Sequence, residues 1–380
     1  MKYRRLGRTN LKVSIIGQGG GVFTDPRCSH EDVKKILRHA VSKGVNIVDT
    51  AENYDETKIG YALNNEKKKV HIFTKSCASQ KREMEKAIKQ SLVKFKRNKI
   101  DIYGMHNVST NKELECRLKG ALPALKEARS KGLIDFIGIS GHRIEVLIRA
   151  IKTNEFDVIL VPYNLGHTLA EKLFPLAKEY DVGITIMKPL GGGFLVNPRI
   201  HGEKPYEGAE ELTAENALKF IISNKQISSI FVGMREIDQV DEDTKIGDTD
   251  PNIPEVERKR LSERVRAFLG DDYCRSCKYC QPCEVNGWDL DIDQILRWEG
   301  FYIKYGYKEF TKKEYARLKL KADACIGCGK CIPKCPYNIQ IAKRLKRAHR
   351  ILSGKEDLPT KIGSFLRKSK LLWKIKRPTR

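Results

Sequence analysis

VHIFTKSCASQKREMEKAIKQSLVKFKRNKIDIYGMH, residues 70–106, is the stretch on which the fold turns. It opens with the β-rich run VHIFTKS (70–76) and closes with IDIYGMH (100–106). Between them, QKREMEKAIKQSLVKFKR (80–97) repeats apolar residues at steps of three and four, which places them on one face of a helix. The flanking runs do not alternate strictly between apolar and polar. Both of their faces are therefore expected to be buried, as in a parallel sheet wrapped by helices.

The same pattern extends in both directions. Strands are expected at VSIIGQG (13–19), VNIVDTA (45–51), IDFIGIS (134–140), DVILVPYN (157–164), GITIMKP (183–189) and ISSIFVGM (227–234). SHEDVKKILRHAVSKG (29–44) reads as another helix, with Ser29 and Asp32 as a capping box. Eight strand–helix units in succession predict a (β/α)₈ TIM barrel over residues 1–245. A doubly wound sheet is the rival, but GQGGGV (17–22) has Val22 where its phosphate-binding fingerprint needs a third glycine. The polar, proline-bearing run EDTKIGDTDPNIPEVERKR (242–260) marks a boundary, with a linker at 246–260. A small cysteine-rich domain is expected at 261–340, with a short helix and aromatic packing in LDIDQILRWEGFYIKYG (290–306). Residues 341–380 read as a basic tail with two amphipathic stretches, 341–352 and 364–377.

The 380 residues suffice for one domain of about 250 residues and a small appendage. Residues 341–380 hold 14 Lys and Arg against Glu356 and Asp357, half of the total net charge of +24. No run approaches the roughly 18 apolar residues of a membrane span, and MKYRRLGRTNLKVS leads into no apolar signal segment. A cytoplasmic location is expected, peripheral to a membrane if the tail binds lipid. Eight of the eleven cysteines crowd into the last third of the chain, while Cys28, Cys77 and Cys116 read as ordinary thiols. In a reducing compartment, dense and regularly spaced cysteines argue for metal rather than disulfides.

A barrel of this kind carries its chemistry at the carboxyl ends of its strands. Asp49 ends the second strand, Lys75 the third and His106 the fourth, with Tyr54 in the loop just past Asp49. The four suit carbonyl reduction. A tyrosine hydroxyl titrates near 10, so a nearby ammonium is expected to lower its pKa, with a carboxylate fixing the lysine. Tyr54 would give a proton to the carbonyl oxygen and His106 would orient the substrate as a donor. The hydride must come from a cofactor. Each residue alone reads better as an ion-pair or surface group; the order of the four gives them weight as a set.

DTAENY (49–54), FTKS (73–76), YGMHNV (103–108), GISGH (138–142), VPYN (161–164), MKPLGGG (187–193) and VGMREIDQVDED (232–243) together resemble the aldo/keto reductase family across residues 1–245. HNV and MKPLGGG resemble its branch with a C-terminal ferredoxin-like domain. The resemblance implies an Asp49, Tyr54, Lys75 and His106 tetrad, reduction of a small aldehyde or ketone, and NADP(H) ahead of NAD(H), bound extended. It further implies cofactor contacts from Gly19, Ser140, Asn164, Lys188, Leu190 and Gly192. Arg235 would meet a 2′-phosphate, and Gln239 and Asp243 the adenine. The sequence departs from the family at Asp55 (usually Gly), Gly141 (Asn), Leu160 (Gln), Met187 (an aromatic residue) and Glu236 (often Ser).

CIGCGKCIPKCP (325–336) is the bacterial ferredoxin spacing, and CRSCKYCQPC (274–283) is one residue short of it. Exchange of the fourth cysteines assigns Cys274, Cys277, Cys280 and Cys335 to one [4Fe–4S] cluster, and Cys283, Cys325, Cys328 and Cys331 to a second. A single cluster and a structural zinc site are the alternatives. Clusters pass single electrons whereas hydride carries two, and no separate flavin site is apparent. The clusters are therefore expected to serve a partner protein or to staple the small domain. The tail suits an acidic redox partner or an anionic membrane surface. No nucleic-acid module accompanies the charge, and no nucleic-acid partner is expected. The competing functional reading is an electron-carrier or assembly module whose barrel turns over little.

Overall fold

The computed structural model describes residues 1–196, 212–270 and 273–355. It divides into two compact units, one of residues 1–189 and 218–255, the other of 190–217 and 256–380.

The first unit begins with an antiparallel hairpin, β1 (Tyr3–Arg5) and β2 (Lys12–Ser14), in which Tyr3 pairs with Ser14. Eight parallel strands then close a barrel: β3 (Ile16–Gly19), β4 (Ile47–Asp49), β5 (His71–Ser76), β6 (Ile100–Met105), β7 (Ile134–Ser140), β8 (Val158–Pro162), β9 (Gly183–Met187) and β10 (Ser229–Val232). Each strand pairs with its neighbours in sequence order, and β10 returns to β3 through Ile230 and Ile16. The connecting helices are α1 (His30–Ser42), α2 (Glu56–Leu63), α3 (Lys81–Phe95), α4 (Asn111–Lys119), α5 (Ala121–Ser130), α6 (Ile144–Lys152), α7 (Phe174–Glu179), α8 (Ala214–Ile222) and α9 (Ile237–Ile246).

Each of the eight expected strands is present. β5 and β6 are buried along their whole length, as their lack of alternation requires. The Ser29–Asp32 capping box forms at the start of α1, so an orphan N–H at each side of the turn is satisfied. The run at 13–19 differs from expectation by splitting in two. Asn46 Oδ1 accepts from Ser14 N at 2.7 Å and the Ser14 hydroxyl donates to Ile16 O at 2.7 Å, which takes Ser14 out of the barrel ladder. Leu6 and Val13, from the hairpin, join Ile47, Phe73, Ile102, Val158, Leu160 and Phe231 in the buried interior of the barrel. Apolar filling of this kind makes the barrel a packed core and leaves chemistry to its carboxyl rim.

The second unit is built from α10 (Glu255–Leu269), the hairpin β11 (Glu284–Val285) and β12 (Trp288–Asp289), α11 (Ile292–Gly300), a π-helical turn at Phe301–Tyr305, α12 (Lys308–Ala316) and α13 (Ile341–Leu352). Three boundaries differ from the sequence reading. The expected linker (246–260) ends early because α10 already starts at Glu255, burying Leu261 and Val265 on one face. Residues 190–217 group with the cysteine-bearing unit and not with the barrel. There Phe194 is fully buried and packs on Phe301 at 5.0 Å and Tyr273 at 5.7 Å. A Cβ on Gly300 would lie 2.4 Å from the Phe194 ring, so only glycine leaves room for it. The third difference concerns the expected tail. Its first stretch is α13, an integral helix that buries Ile341, Leu345, Ala348, Ile351 and Leu352. The second stretch, 364–377, lies outside the described residues. Among the described residues no helix is long and apolar enough to cross a membrane.

α13 is fixed to α11 by charge as well as by packing. Glu299 is fully buried and accepts from Arg344 Nε at 2.7 Å and Arg347 Nε at 2.6 Å. Replacing one member of such a buried set strands the others without a counter-ion. Glu299→Leu is expected to destabilise the second unit by about 3–5 kcal/mol. Chemical denaturation followed by tryptophan fluorescence checks this; a loss near zero would show that the arginines are solvated from outside.

Candidate active site and cysteine cavities

Asp49 closes β4 and Lys75 lies near the end of β5, and the register of these strands pairs Asp49 with Phe73. The two charged side chains form a direct buried ion pair, and Lys75 Nζ also donates to Thr50 O at 2.5 Å. Lys75 is 1% exposed. Burial raises the Asp49 pKa and lowers that of Lys75, while their contact opposes both shifts. Tyr54 follows in the tight loop between β4 and α2, where its N–H donates to Ala51 O at 2.8 Å. Its ring meets that of His106, just past β6, edge to face at 5.9 Å. The four residues expected from the sequence therefore gather over adjacent strand ends.

The electrostatics differ from the expectation for Tyr54. Burial, then the charges of Asp49 and Cys77, push its pKa up, not down. The Lys75 ammonium is bound to Asp49 and Thr50, so its field at the phenol is compensated. The phenol is accordingly fully protonated at neutral pH. His106 is held at about 3 by burial and by the cations Lys75 and Arg117, so its imidazole is neutral. Its Nδ1 is buried without a hydrogen-bond partner among the described residues.

Several supporting groups carry no sequence signature. Arg117, on α4, donates to His106 O at 2.6 Å and pairs with Glu113. Glu56, at the start of α2, is 1% exposed and accepts from Thr74 Oγ1 at 2.6 Å and Ser91 Oγ at 3.0 Å. It also pairs with Lys94 at 3.3 Å, which ties α2 and α3 to the strand that bears Lys75. Only the fold brings these distant polar residues together. His142 and His167, 7% and 4% exposed, follow β7 and β8 on the same rim. Burial, then Lys188, His167 and His106, hold the His142 pKa well below its usual value.

The residues expected to contact a cofactor fall into two groups. Gly19 closes β3. Ser140 closes β7, but its hydroxyl accepts from Asn107 N at 3.0 Å and so holds the loop behind His106. Gly141 is sterically required, since a Cβ there would lie 2.6 Å from Val108 O, which leaves no room for the asparagine usual in the family. Leu160 is 2% exposed in the barrel core. Asn164 Nδ2 donates to Lys188 O at 2.9 Å and fixes the left-handed backbone of Lys188 (φ 54°). Leu190 and Gly192 fall in the second unit, where a Cβ on Gly192 would lie 3.3 Å from Ser276. At the other end, Gln239 Oε1 accepts from Arg235 N at 2.8 Å, and Arg235 pairs loosely with Asp25 at 3.7 Å. Asp243 is 4% exposed. Burial and the neighbouring Glu242 raise its pKa to about 7.

In the second unit, Cys274, Cys277, Cys280 and Cys335 line one cavity together with Arg275, Asp293, Leu296, Tyr337 and Ile339. Arg275 is sandwiched between the rings of Tyr273, at 4.2 Å, and Tyr337, at 4.4 Å. Burial pushes the Cys274 thiol up to about 12 and raises Cys280 as well. The other four cysteines form a second neighbourhood. After burial, Cys325 and Cys328 act on Cys283, and Cys325, Cys283 and Cys328 act on Cys331. Cys335 thus sits with the first ladder and Cys283 beside the second. Among the described residues no group of three His, Cys, Asp or Glu side chains is disposed to hold a single metal ion. Four thiols lining a cavity without converging on one point fit a multi-iron cluster better than one zinc ion.

A family model described as the aldo/keto reductase family matches residues 15–230, and one described as a 4Fe-4S binding domain matches 319–340. An uncharacterized oxidoreductase of Bacillus subtilis (strain 168), YqkF, is 24% identical over 313 residues, covering 69% of this chain and 94% of its own. L-galactose dehydrogenase of Arabidopsis thaliana is 27% identical over 279 residues, covering 64% and 86%. The holo form of an aldo-keto reductase from Bacillus halodurans superimposes with a TM-score of 0.60 at 23% identity, covering 69% of this chain and 96% of that one, a likeness of fold.

The Asp243 carboxyl provides a test with a definite sign. Its folded pKa lies above the unfolded value of about 3.9, so the folded state binds the extra proton in between. Stability should therefore fall as pH rises from about 4 to about 7, by up to about 1.4 kcal/mol per pH unit. Asp243→Asn should flatten that slope. Urea unfolding across the range measures it, and parallel slopes for both proteins would rule the buried proton out.

Proposed function

The chain belongs to the aldo/keto reductase family and carries a 4Fe-4S binding domain, and on that premise we propose that it reduces an aldehyde or ketone with NADP(H), or secondarily NAD(H). The observation that carries the reading is the Tyr54–His106 contact beside the buried Asp49–Lys75 pair at the carboxyl rim. The dinucleotide, when bound, supplies the hydride. Arg235 would hold its 2′-phosphate, with Gln239 and Asp243 facing the adenine, and Gly19, Asn164 and Lys188 would approach its other half.

The chain's own residues perform the proton chemistry. Neutral His106 donates a hydrogen bond to the carbonyl oxygen and sets its position. As negative charge develops there, Tyr54 passes its phenolic proton to that oxygen. A phenol with a raised pKa is slow to yield its proton to water, but a nascent alkoxide is far more basic. Asp49 and the Thr50 carbonyl hold Lys75 as a buried ion pair at the strand ends beside the Tyr54 loop. Burial of the pair excludes water from the path.

Tyr54→Phe should lower kcat by about 10²–10⁴ while leaving dinucleotide affinity unchanged. With His106 neutral down to about pH 3 and Tyr54 protonated throughout, kcat at saturating dinucleotide should stay flat from about pH 5 to pH 9. A limb near 6.5 in the anaerobic pH profile would count against these assignments.

We also propose two [4Fe–4S] clusters, one on Cys274, Cys277, Cys280 and Cys335 and the other on Cys283, Cys325, Cys328 and Cys331. They would pass electrons to a partner or staple the small unit. Anaerobically reconstituted protein should hold about eight irons per chain, and Cys283→Ser or Cys335→Ser about four. About four in the unmodified protein would favour a single cluster. The engaged Ser140 hydroxyl and the lack of side-chain amides at 141 and 160 favour one competing reading, an electron carrier with little turnover. Quenching of protein fluorescence by NADPH separates the two, since the carrier reading expects none.

A further inference from the structure

The helix α13 has two unlike faces. Ile341, Leu345, Ala348 and Leu352 are buried on one of them. Lys343, Lys346 and Arg350, spaced by three and four residues, form an exposed stripe along the other. The helix cannot roll to hide that stripe, because Arg344 and Arg347 hold it to the buried Glu299. Residues 341–355 contain six Lys and Arg and no Asp or Glu, and Lys355 is exposed as well.

The acids of the neighbouring elements do not neutralise the stripe. α13 packs on α11, α12 and the turn Ala322–Ala324. On α11, Asp293 and Glu299 are buried, and Asp291 at its start is partly covered. On α12, Glu314 pairs with Arg317 at 2.5 Å, and the exposed Glu309 is outnumbered by Lys308, Lys312 and Lys313. In the turn, Asp323 faces His349 on the flank of α13 at 3.5 Å. The face stays cationic whichever of these neighbours is counted.

The sequence continues in the same sense. Glu356 and Asp357 are the last acids of the chain. Residues 363–380 hold seven Lys and Arg interleaved with Phe365, Leu366, Leu371, Leu372, Trp373 and Ile375. An acidic protein or a nucleic acid would use the cations alone. An anionic bilayer uses both kinds of group, since its headgroups meet the charge and its acyl boundary takes up the Phe, Leu and Trp side chains.

We propose that the outer face of α13, continued by residues 363–380, binds an anionic phospholipid surface. The lysines of the helix meet the headgroup layer, and the apolar side chains that follow add burial below it. Binding requires neither dinucleotide nor iron.

The test is co-sedimentation of full-length, iron-reconstituted protein with phosphatidylcholine vesicles that contain or lack phosphatidylglycerol. Lys343→Glu/Lys346→Glu should weaken binding to the anionic vesicles at least about tenfold, at unchanged iron content and thermal midpoint. Raising salt from about 50 to about 500 mM should do the same to the unmodified protein. Deletion of residues 363–380 should remove the part of the binding that survives high salt. Equal binding to pure phosphatidylcholine, equal binding by the charge-reversed variant, or no binding to vesicles would overturn the proposal. So would tighter binding of polyglutamate or a DNA duplex than of anionic vesicles, which would assign the face to an acidic macromolecule.

Discussion

A carboxylate and an ammonium buried together at the ends of neighbouring strands constrain everything the barrel rim can do. Asp49 and Lys75 are each costly to bury alone, and their contact offsets that cost only because β4 and β5 hold them side by side. The Glu56 network fixes the outside of the same strand through Thr74, so Lys75 has little freedom to leave the pair. Tyr54 hangs in the loop that joins Asp49 to α2, and His106 completes the rim from the next strand but one after β4. Burial, with the charges around it, keeps the imidazole neutral and the phenol protonated. That combination suits a donor that surrenders its proton only to a strong incipient base.

The rim has been altered where a nicotinamide amide would be recognised, and each alteration has a local cause. Ser140 spends its hydroxyl on the Asn107 backbone, which holds the loop that presents His106. Gly141 makes room for the Val108 carbonyl, and Leu160 turns a polar lining position into core. His142 and His167 bring imidazoles to the same region. The rim therefore gathers Asp49, Tyr54, Lys75 and His106 and departs from the family pattern at positions 141 and 160.

In the second unit the interleaving of the two ladders plays the part that the ion pair plays in the barrel. Cys335 crosses into the cavity of the first ladder and Cys283 into the neighbourhood of the second. Segments more than forty residues apart are thereby brought together at two points. Arg275, held between Tyr273 and Tyr337, and Glu299, held between Arg344 and Arg347, extend that tie into the surrounding helices.

The eight strands, the Ser29 cap and the identity of the tetrad were legible in the sequence, because unbroken apolar runs, helical periodicity and strand-end position are local properties. Cysteine spacing likewise announced iron–sulfur binding before any coordinates. The upward shift at Tyr54 was not legible, since it depends on burial and on Lys75 being already paired, and neither is written in DTAENY or FTKS. Nor was the role of Glu56 or Arg117, whose partners lie far along the chain, nor the incorporation of α13, whose basic residues alone suggest a free tail until Glu299 is seen beneath them. The sequence by itself determined which groups exist and which face of each element they occupy. Only the tertiary structure decided which charges are compensated and which thiols are exposed, because burial and electrostatic pairing are set by neighbours that chain order does not reveal.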